Sequence, residues 1–241
     1  MLCEKLTAAK TDGIAVMNQA DLEIVDQHRL CRGETRLIRG MGYTLKRENA
    51  EADPALRGQM AEDGEYLLTF VGELSQRKNQ SFLIRCVDRL RREGLPVRLM
   101  LVGEGSEREN LEKEISERGM NGIVTLTGNR EPVAPYLAIT DLYVSASRIE
   151  GLPFNLMEAM EYGLPIVASD CKGQTDLLGD HPQSVYPRGE EDTFCRLVKE
   201  TLASGKRGVG AVSYPILEAY TLDAVYQENL NLMKGFIAHE K

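Results

Sequence analysis

Two glutamates on either side of a sharp turn are well suited to binding hydroxyl groups. In the segment SRIEGLPFNLMEAM, seven residues separate Glu150 from Glu158. A single helix through both would place them about 12 Å apart, but Pro153 prevents such a helix. Glu150 therefore belongs to a loop and Glu158 to the helix that follows, which suits two hydrogen-bond acceptors better than an acid/base dyad. Two alternatives stay open: a solvated loop carboxylate at Glu150, and a capping box between Asn155 and Glu158.

Phosphate binding is predicted at the start of two helices. In the loop GELSQRKN, Arg77 and Lys78 fall where a helix begins, a position that disfavours cations unless an anion binds there. Lys78 is therefore a candidate phosphate ligand, although a solvated lysine is the simpler explanation when the residue is taken alone. The second helix begins near Asn155 and Leu156, where free N–H groups could hold a phosphate.

Two glycine turns follow other apolar runs. The turn Gly103-Glu104-Gly105 does not complete the dinucleotide fingerprint GxGxxG, because Arg108 occupies the place of the third glycine. It therefore indicates a tight turn between a strand and a helix. The turn Gly128-Asn129-Arg130 would let the backbone approach a flat base, and turn geometry alone explains it equally well.

These residues belong to an alternating series of strands and helices. Apolar runs predict strands over 13–18, 35–40, 66–72, 98–103, 123–128, 141–147 and 165–169. Helical patterns cover 20–30, 54–60, 78–93, 106–118, 133–138, 154–162, 190–203 and 222–238, with a further helix near Thr175. Strands separated by helices predict an α/β fold, in which a parallel sheet carries helices on both faces. Ligands bind at the carboxyl ends of such strands, where the candidate residues fall.

The composition excludes several classes of protein. The chain has 241 residues with 29 basic and 37 acidic side chains, a net charge of −8, so it lacks the basic footprint of a nucleic-acid-binding protein. No apolar run approaches the roughly 20 residues of a membrane span, and no signal peptide is expected, so we expect at most peripheral membrane contact. Five dispersed cysteines and three isolated histidines predict neither a disulfide framework nor a zinc cluster, which fits a cytoplasmic protein.

The order and spacing of these motifs resemble one enzyme family. The segment EGLPFNLMEAMEYGLPIVASD, with Glu150 and Glu158, resembles the E-x7-E region of retaining glycosyltransferases with the GT-B fold, especially glycosyltransferase family four. The resemblance extends over about residues 65–205, through VGELSQRKNQ, LMLVGEGSERENLE, IVTLTGNR and DLYVSASRIEGLP. It implies the Rossmann-like C-terminal half of that fold, and it outweighs the alternatives for Lys78, Glu150 and Glu158.

The resemblance implies a role for each candidate residue. Lys78 would meet the donor diphosphate and Glu150 the donor sugar, and these two are the implied catalytic residues. Glu158 would accept hydrogen bonds from the ribose hydroxyls. The other implied donor-binding positions are Gly128, Asn129 and Arg130 at the nucleobase, Gly151, Phe154 and Asn155 near the sugar, and Leu156 with its neighbours at the phosphates. Many relatives carry arginine at the position of Glu73, which would give a second positive phosphate contact, whereas others carry glutamate, so Glu73 is not an implied phosphate ligand.

The implied reaction moves a hexosyl group from a nucleotide diphosphate sugar to an acceptor hydroxyl with retained anomeric configuration, as in polysaccharide biosynthesis. The donor is expected to be UDP-linked. The protein's main task would be stabilising the departing diphosphate. The nucleotide sugar is a substrate and no cofactor is implied. Because no Asp-x-Asp occurs, no metal site is predicted.

The resemblance covers one half of a two-domain enzyme. We expect residues 1–48 to be a remnant of the acceptor domain, 49–64 a linker, 65–205 the nucleotide-sugar-binding domain and 206–241 C-terminal helices. Such a chain would be an incomplete transferase, one subunit of a two-chain transferase, or a catalytically silent nucleotide-sugar-binding remnant. We therefore expect an acceptor-domain partner chain or self-association. The apolar residues expected at that surface are Leu22, Ile24, Val25, Leu230, Leu232, Met233 and Phe236.

Overall fold

A parallel β-sheet forms the centre of the molecule. In the computed structural model, which describes residues 2–45 and 51–238, the strands are β1 (Ile14–Val16), β2 (Thr35–Leu37), β3 (Tyr66–Val71), β4 (Val97–Val102), β5 (Val124–Gly128), β6 (Leu142–Ser145), β7 (Ile166–Ser169) and β8 (Val185–Tyr186). The helices are α1 (Leu2–Thr7), α2 (Gln19–His28), α3 (Pro54–Met60), α4 (Gln80–Arg92), α5 (Arg108–Glu117), α6 (Ala134–Ala138), α7 (Phe154–Glu161), α8 (Gln174–Leu177), α9 (Glu191–Ala203) and α10 (Leu222–Ala238). Short 3₁₀ helices cover Ala8–Lys10, Pro182–Ser184 and Pro215–Tyr220.

The strand order creates a crevice at the middle of the sheet. The larger sheet has the order β5-β4-β3-β6-β7-β8, and all of its neighbouring strands are parallel. The chain runs outward from β3 through β4 to β5, then returns to the other side of β3 and continues from β6 to β8. The loops after β3 and β6 therefore face each other at a topological switch point, the usual ligand site of an open α/β sheet.

Helices cover both faces of this sheet. Successive side chains of a strand point to opposite faces, so Leu68 and Phe70 of β3 enter one apolar cluster while Leu67 and Val71 enter the other. The first cluster contains residues of α4, α5 and α9, and the second contains residues of α7, α8 and the 3₁₀ helix Pro215–Tyr220. The predicted α/β fold with helices on both faces is confirmed.

A small two-stranded sheet precedes this body. Strands β1 and β2 pair in parallel, and α2 lies between them in the chain. The segment after β2 is tied to the end of the chain, because the Tyr43 N–H donates to Tyr220 O at 2.8 Å and the Leu222 N–H donates to Tyr43 O at 3.1 Å. The Arg39 guanidinium binds both carboxylate oxygens of Glu228, at 3.1 and 3.0 Å. The expected boundary between residues 48 and 49 lies outside the described residues.

The expected association surface is only partly apolar and exposed. Val25 is buried, at 6% exposure, because it packs inside the N-terminal α/β unit, and this residue was wrongly expected at the surface. Ile24 and Met233 are exposed, and Leu22, Leu230 and Leu232 are half-buried. The side chain of Phe236 lies outside the described residues. Within residues 2–45 and 51–238, no helix combines the length and apolar character that crossing a bilayer requires.

Candidate functional site

A buried ion pair crosses the crevice between β3 and β6. Lys78 follows β3, Glu150 follows β6, and Lys78 Nζ lies 2.5 Å from Glu150 Oε1. The two side chains are only 9% and 4% exposed. The sheet topology thus brings together the predicted phosphate ligand and the predicted sugar ligand, which are 72 residues apart in the chain.

Backbone contacts fix the loop that carries Lys78. The N–H groups of Lys78 and Asn79 both donate to Ser75 O at 3.0 Å, which forms a tight turn. Asn79 has a left-handed backbone with φ of 58°, so α4 begins only at Gln80 and Lys78 lies just before the helix instead of within it. Asn79 Nδ2 donates to Ala146 O at 3.3 Å, which joins this loop to the one after β6.

The start of α7 differs from its sequence-based prediction. Pro153 is the N-cap residue, so Asn155 lies inside the first turn, and its Nδ2 donates to Val71 O at 2.6 Å. Asn155 therefore does not serve as the cap of an Asn155–Glu158 capping box. The Leu156 N–H, for which a phosphate contact was expected, donates to Pro153 O at 3.0 Å. Among the described residues, none accepts a hydrogen bond from the N–H groups of Phe154 and Asn155.

Glu158 lines a second part of the site. A cavity of about 400 Å³ is bordered by Asn129 and Arg130, which follow β5, and by Glu158 of α7. Gly128 comes just before these loop residues and has φ of +80°, a backbone conformation that strains any residue with a Cβ. Asn129 and Arg130, predicted at the nucleobase, and Glu158, predicted at the ribose, therefore border one cavity, whereas Gly128 does not line it. Gly151, in the loop before α7, is half-buried, and Phe154 is exposed.

Several residues that line this cavity were not assigned to the site from the sequence, among them Tyr43 and Glu161. Tyr43 Oη donates to Glu161 Oε2 at 2.6 Å. The Tyr43 ring stacks on Phe154 with 6.2 Å between ring centroids. Burial raises the pKa of Tyr43, and its hydrogen bond to the Glu161 carboxylate raises it further. The sequence around Tyr43 matches no motif, so no local sequence pattern could have assigned this residue to the site.

The pKa of a buried tyrosine responds to both candidate carboxylates. Tyr143 of β6 is fully buried, and its Oη lies 3.4 Å from Val71 O, the atom that also accepts the hydrogen bond from Asn155. Burial raises the pKa of Tyr143, and the negative charges of Glu158 and Glu150 raise it further. The charges of both carboxylates thus act on the same phenol.

The strand ends around this site pack too closely for side chains. Gly103, at the end of β4, has φ of +145°, and a Cβ added there would lie 2.0 Å from Gly72 O. The Gly72 N–H donates to Val102 O at 2.8 Å, and the Gly103 N–H donates to Gly128 O at 2.9 Å. These contacts hold the loops after β3, β4 and β5 against each other, which explains the glycine in the Gly103-Glu104-Gly105 turn without any dinucleotide.

Comparison with known proteins identifies the family. Residues 65–204 match the family model described as glycosyl transferases group 1. An alpha-D-kanosaminyltransferase of Streptomyces kanamyceticus is 27% identical over 173 residues, which are 69% of this chain and 45% of the relative. A lipopolysaccharide core biosynthesis glycosyltransferase, LpsE of Rhizobium meliloti, is 30% identical over 134 residues, which are 55% of this chain and 38% of the relative. The chain spans about half the length of the curated relatives it matches.

The fold has solved counterparts as well. The crystal structure of HepE from Anabaena, in complex with UDP and glucose, superposes with a TM-score of 0.78 at 19% identity and covers 97% of this chain and 66% of that one. This similarity confirms the predicted Rossmann-like half of the GT-B fold. The matched family region includes both the Lys78 loop and the Glu150–Glu158 segment. The chain therefore belongs to the glycosyl transferases group 1 family.

Proposed function

We propose that this chain binds a UDP-linked hexose between β3 and β6 and is the donor half of a retaining hexosyltransferase. The observation that carries the proposal is the buried pair of Lys78 and Glu150, which joins a cation for phosphate to a carboxylate for sugar across the switch point. A buried ion pair is often no more stabilising than packed apolar residues, because both charges lose hydration. A pair at this position is therefore better explained by ligand binding than by stability alone.

The described residues supply the contacts that such a donor needs. The Lys78 ammonium and the N–H groups of Phe154 and Asn155 would stabilise the charge that develops on the departing diphosphate. Glu150 would accept hydrogen bonds from the sugar, and Glu158 from the ribose. The cavity of about 400 Å³ beside Asn129 and Arg130 would take the nucleobase. The UDP and glucose bound to HepE support this choice of ligand.

In this proposal, strands that extend the small β1–β2 sheet hold the acceptor. Among the described residues, β1 and β2 pair only with each other. Parallel strands normally belong to larger sheets that are covered on both faces. We infer that a further segment or a partner chain extends this small sheet and holds the acceptor hydroxyl. A cytoplasmic location is part of the proposal and is supported by five free cysteines.

Calorimetric titration of the chain with UDP, GDP and ADP tests donor binding. We expect UDP to bind, Lys78→Gln to weaken that binding, and Lys199→Gln to leave it unchanged, because Lys199 pairs with Glu93 on the outside of the molecule. No heat and no thermal shift with any of the three nucleotides at millimolar concentration would contradict the proposal.

Release of UDP from UDP-hexoses in single-turnover experiments tests the reaction. We expect the chain alone to hydrolyse its donor slowly, because water needs no binding domain. Positioning an acceptor can supply about 7–11 kcal/mol of barrier reduction, and no described residue is assigned that task. Transfer by this chain alone at an ordinary rate of about 1–10³ s⁻¹ would refute the need for an acceptor half. Binding without any UDP release would instead favour the silent remnant.

A further inference from the structure

Two cations flank Glu150, and the proposed function uses only one of them. Lys78 Nζ lies 2.5 Å from Oε1 of this carboxylate, and Arg77 Nη1 lies 3.5 Å from Oε2. The other terminal nitrogen of Arg77, Nη2, lies 3.6 Å from Glu73 Oε2. The Arg77 guanidinium therefore lies between two carboxylates, one from its own loop and one from the loop after β6.

The Arg77 guanidinium is held loosely in this position. Its two contacts are longer than the roughly 2.7–3.2 Å of an N–H···O hydrogen bond, and no residue within 2–45 and 51–238 accepts a hydrogen bond from it. The side chain is 48% exposed. Its backbone is fixed, because the Arg148 N–H donates to Arg77 O at 2.8 Å. Arg77 thus has a fixed backbone and a guanidinium that can reorient toward a ligand.

Two other arginines near this crevice are already engaged. Arg148 Nη2 donates to Asn79 Oδ1 at 3.2 Å. Arg188 Nε donates to Asp170 Oδ1 at 3.0 Å, and its Nη1 donates to Arg148 O at 3.0 Å. Moving either guanidinium would break hydrogen bonds, whereas moving that of Arg77 would break none to a described residue. Arg77 is therefore the arginine that a ligand can recruit at the lowest cost.

The charges of the cluster show why a ligand would recruit it. Lys78, Arg77, Glu150 and Glu73 carry two positive and two negative charges, which sum to zero. A donor diphosphate is a dianion, so its arrival at Lys78 leaves the cluster with excess negative charge. A guanidinium matches phosphate oxygens with two parallel hydrogen bonds, which an ammonium cannot do.

We propose, on the basis of the donor site described under the proposed function, that Arg77 is the second cation of the diphosphate site. Glu73 and Glu150 hold its guanidinium near the crevice until the donor binds, and the guanidinium then turns to the outer phosphate. Glu73 competes with the donor for Arg77 in this arrangement.

Titration with UDP and UMP separates this role from a general effect on binding. We expect Arg77→Gln to weaken UDP binding about tenfold, as for other charge-assisted hydrogen bonds, and to change UMP binding less than about twofold. Arg77→Lys should fall between the wild type and Arg77→Gln, since it keeps the charge but loses the planar fork. Glu73→Gln should tighten UDP binding by about two- to fivefold, because it removes a competing carboxylate. Arg196→Gln is the matched control, because Arg196 pairs with Glu200 on the outer surface of α9.

The outcomes distinguish this proposal from the proposed function. If the wild type binds UDP and Arg77→Gln binds it equally well, the assignment of Arg77 is overturned and the donor site stands. An equal loss of UDP and UMP binding overturns it too, because the contact then does not involve the outer phosphate. If the wild type binds none of UDP, GDP and ADP, the donor site itself is refuted, and this proposal with it. If the wild type binds GDP instead of UDP, the same comparison of variants is made with GDP and GMP.

Discussion

Removing the charge of Glu150 should destabilise the empty protein. Glu150→Gln leaves the Lys78 ammonium buried without a counter-ion, and breaking a buried pair in this way costs about 3–5 kcal/mol. Glutamine has the shape of the glutamate side chain, and its carbonyl oxygen can still accept a hydrogen bond from Lys78 Nζ. We therefore expect a smaller fall in the free energy of unfolding, of about 2–3 kcal/mol. In a chain of this size, each kcal/mol of lost stability lowers the melting temperature by about 2–4 °C, so we expect a fall of roughly 4–12 °C.

The same substitution should separate two kinds of ligand. Because Glu150 would compete with a bound diphosphate for Lys78 in the proposed site, Glu150→Gln should bind UDP at least as tightly as the wild type. It should bind a UDP-hexose less tightly, since the sugar loses its charged acceptor. Thermal melts without ligand and calorimetry with UDP and UDP-hexose measure both effects. The double variant Lys78→Gln/Glu150→Gln completes a thermodynamic cycle, in which we expect a coupling of about 2 kcal/mol.

Two results would refute this reasoning. A variant Glu150→Gln that melts within about 1 °C of the wild type would show that the pair does not hold the loops after β3 and β6 together. Equal losses of affinity for UDP and for the UDP-hexose would show that Glu150 does not contact the sugar selectively. Lys199→Gln serves again as the control, because its exposed pair with Glu93 should contribute little to stability.

Three further substitutions test other parts of the site. Glu158→Gln should weaken UDP and UDP-hexose binding alike by about tenfold, because both carry the ribose; unchanged calorimetric affinity in a folded variant would contradict the assigned role. Tyr43→Phe should lower the free energy of unfolding by about 1–2 kcal/mol and weaken UDP binding by less than about fivefold, and a urea melt identical to the wild type would show that the Glu161 hydrogen bond is dispensable. Arg57→Ala should lower the free energy of unfolding by about 2–3 kcal/mol, because Arg57 Nη2 donates to Asp141 Oδ2 and to Glu65 O at 2.7 Å each. Its nucleotide affinity should not change, and an altered calorimetric affinity would show that α3 contributes to the geometry of the crevice.

The alternation of strands and helices was predictable because each element carries its own local pattern. The buried run of β3 and the helical stripe of α4 are both continuous in the sequence. Strand β8, with only Val185 and Tyr186, is too short to show any periodicity, and it was missed. Helix ends were less predictable, since the left-handed backbone of Asn79 delays α4 until Gln80.

The contacts of the site depend on long-range packing, which a local pattern does not contain. Placing Lys78 and Glu150 on strand-end loops follows from the sequence, but their direct pairing requires β3 to lie beside β6. Tyr43 is 118 residues from Glu161, and it reaches the cavity only because its backbone is tied to Tyr220 and Leu222. The family motifs lie within about residues 65–205, so none of them includes this tyrosine.

The two oxygens of Glu150 suggest how phosphate and sugar binding are coupled in the proposed site. Oε1 lies 2.5 Å from Lys78 Nζ, whereas Oε2 lies 3.5 Å from Nη1 of the Arg77 guanidinium. If a diphosphate drew that guanidinium away, as proposed, Oε2 would lose its positive neighbour and become a stronger acceptor for a sugar hydroxyl. Binding of the diphosphate would then prepare the carboxylate for the hexose attached to it. A donor that carries both groups would gain from each contact, whereas a free hexose would meet a carboxylate that still faces both Lys78 and Arg77.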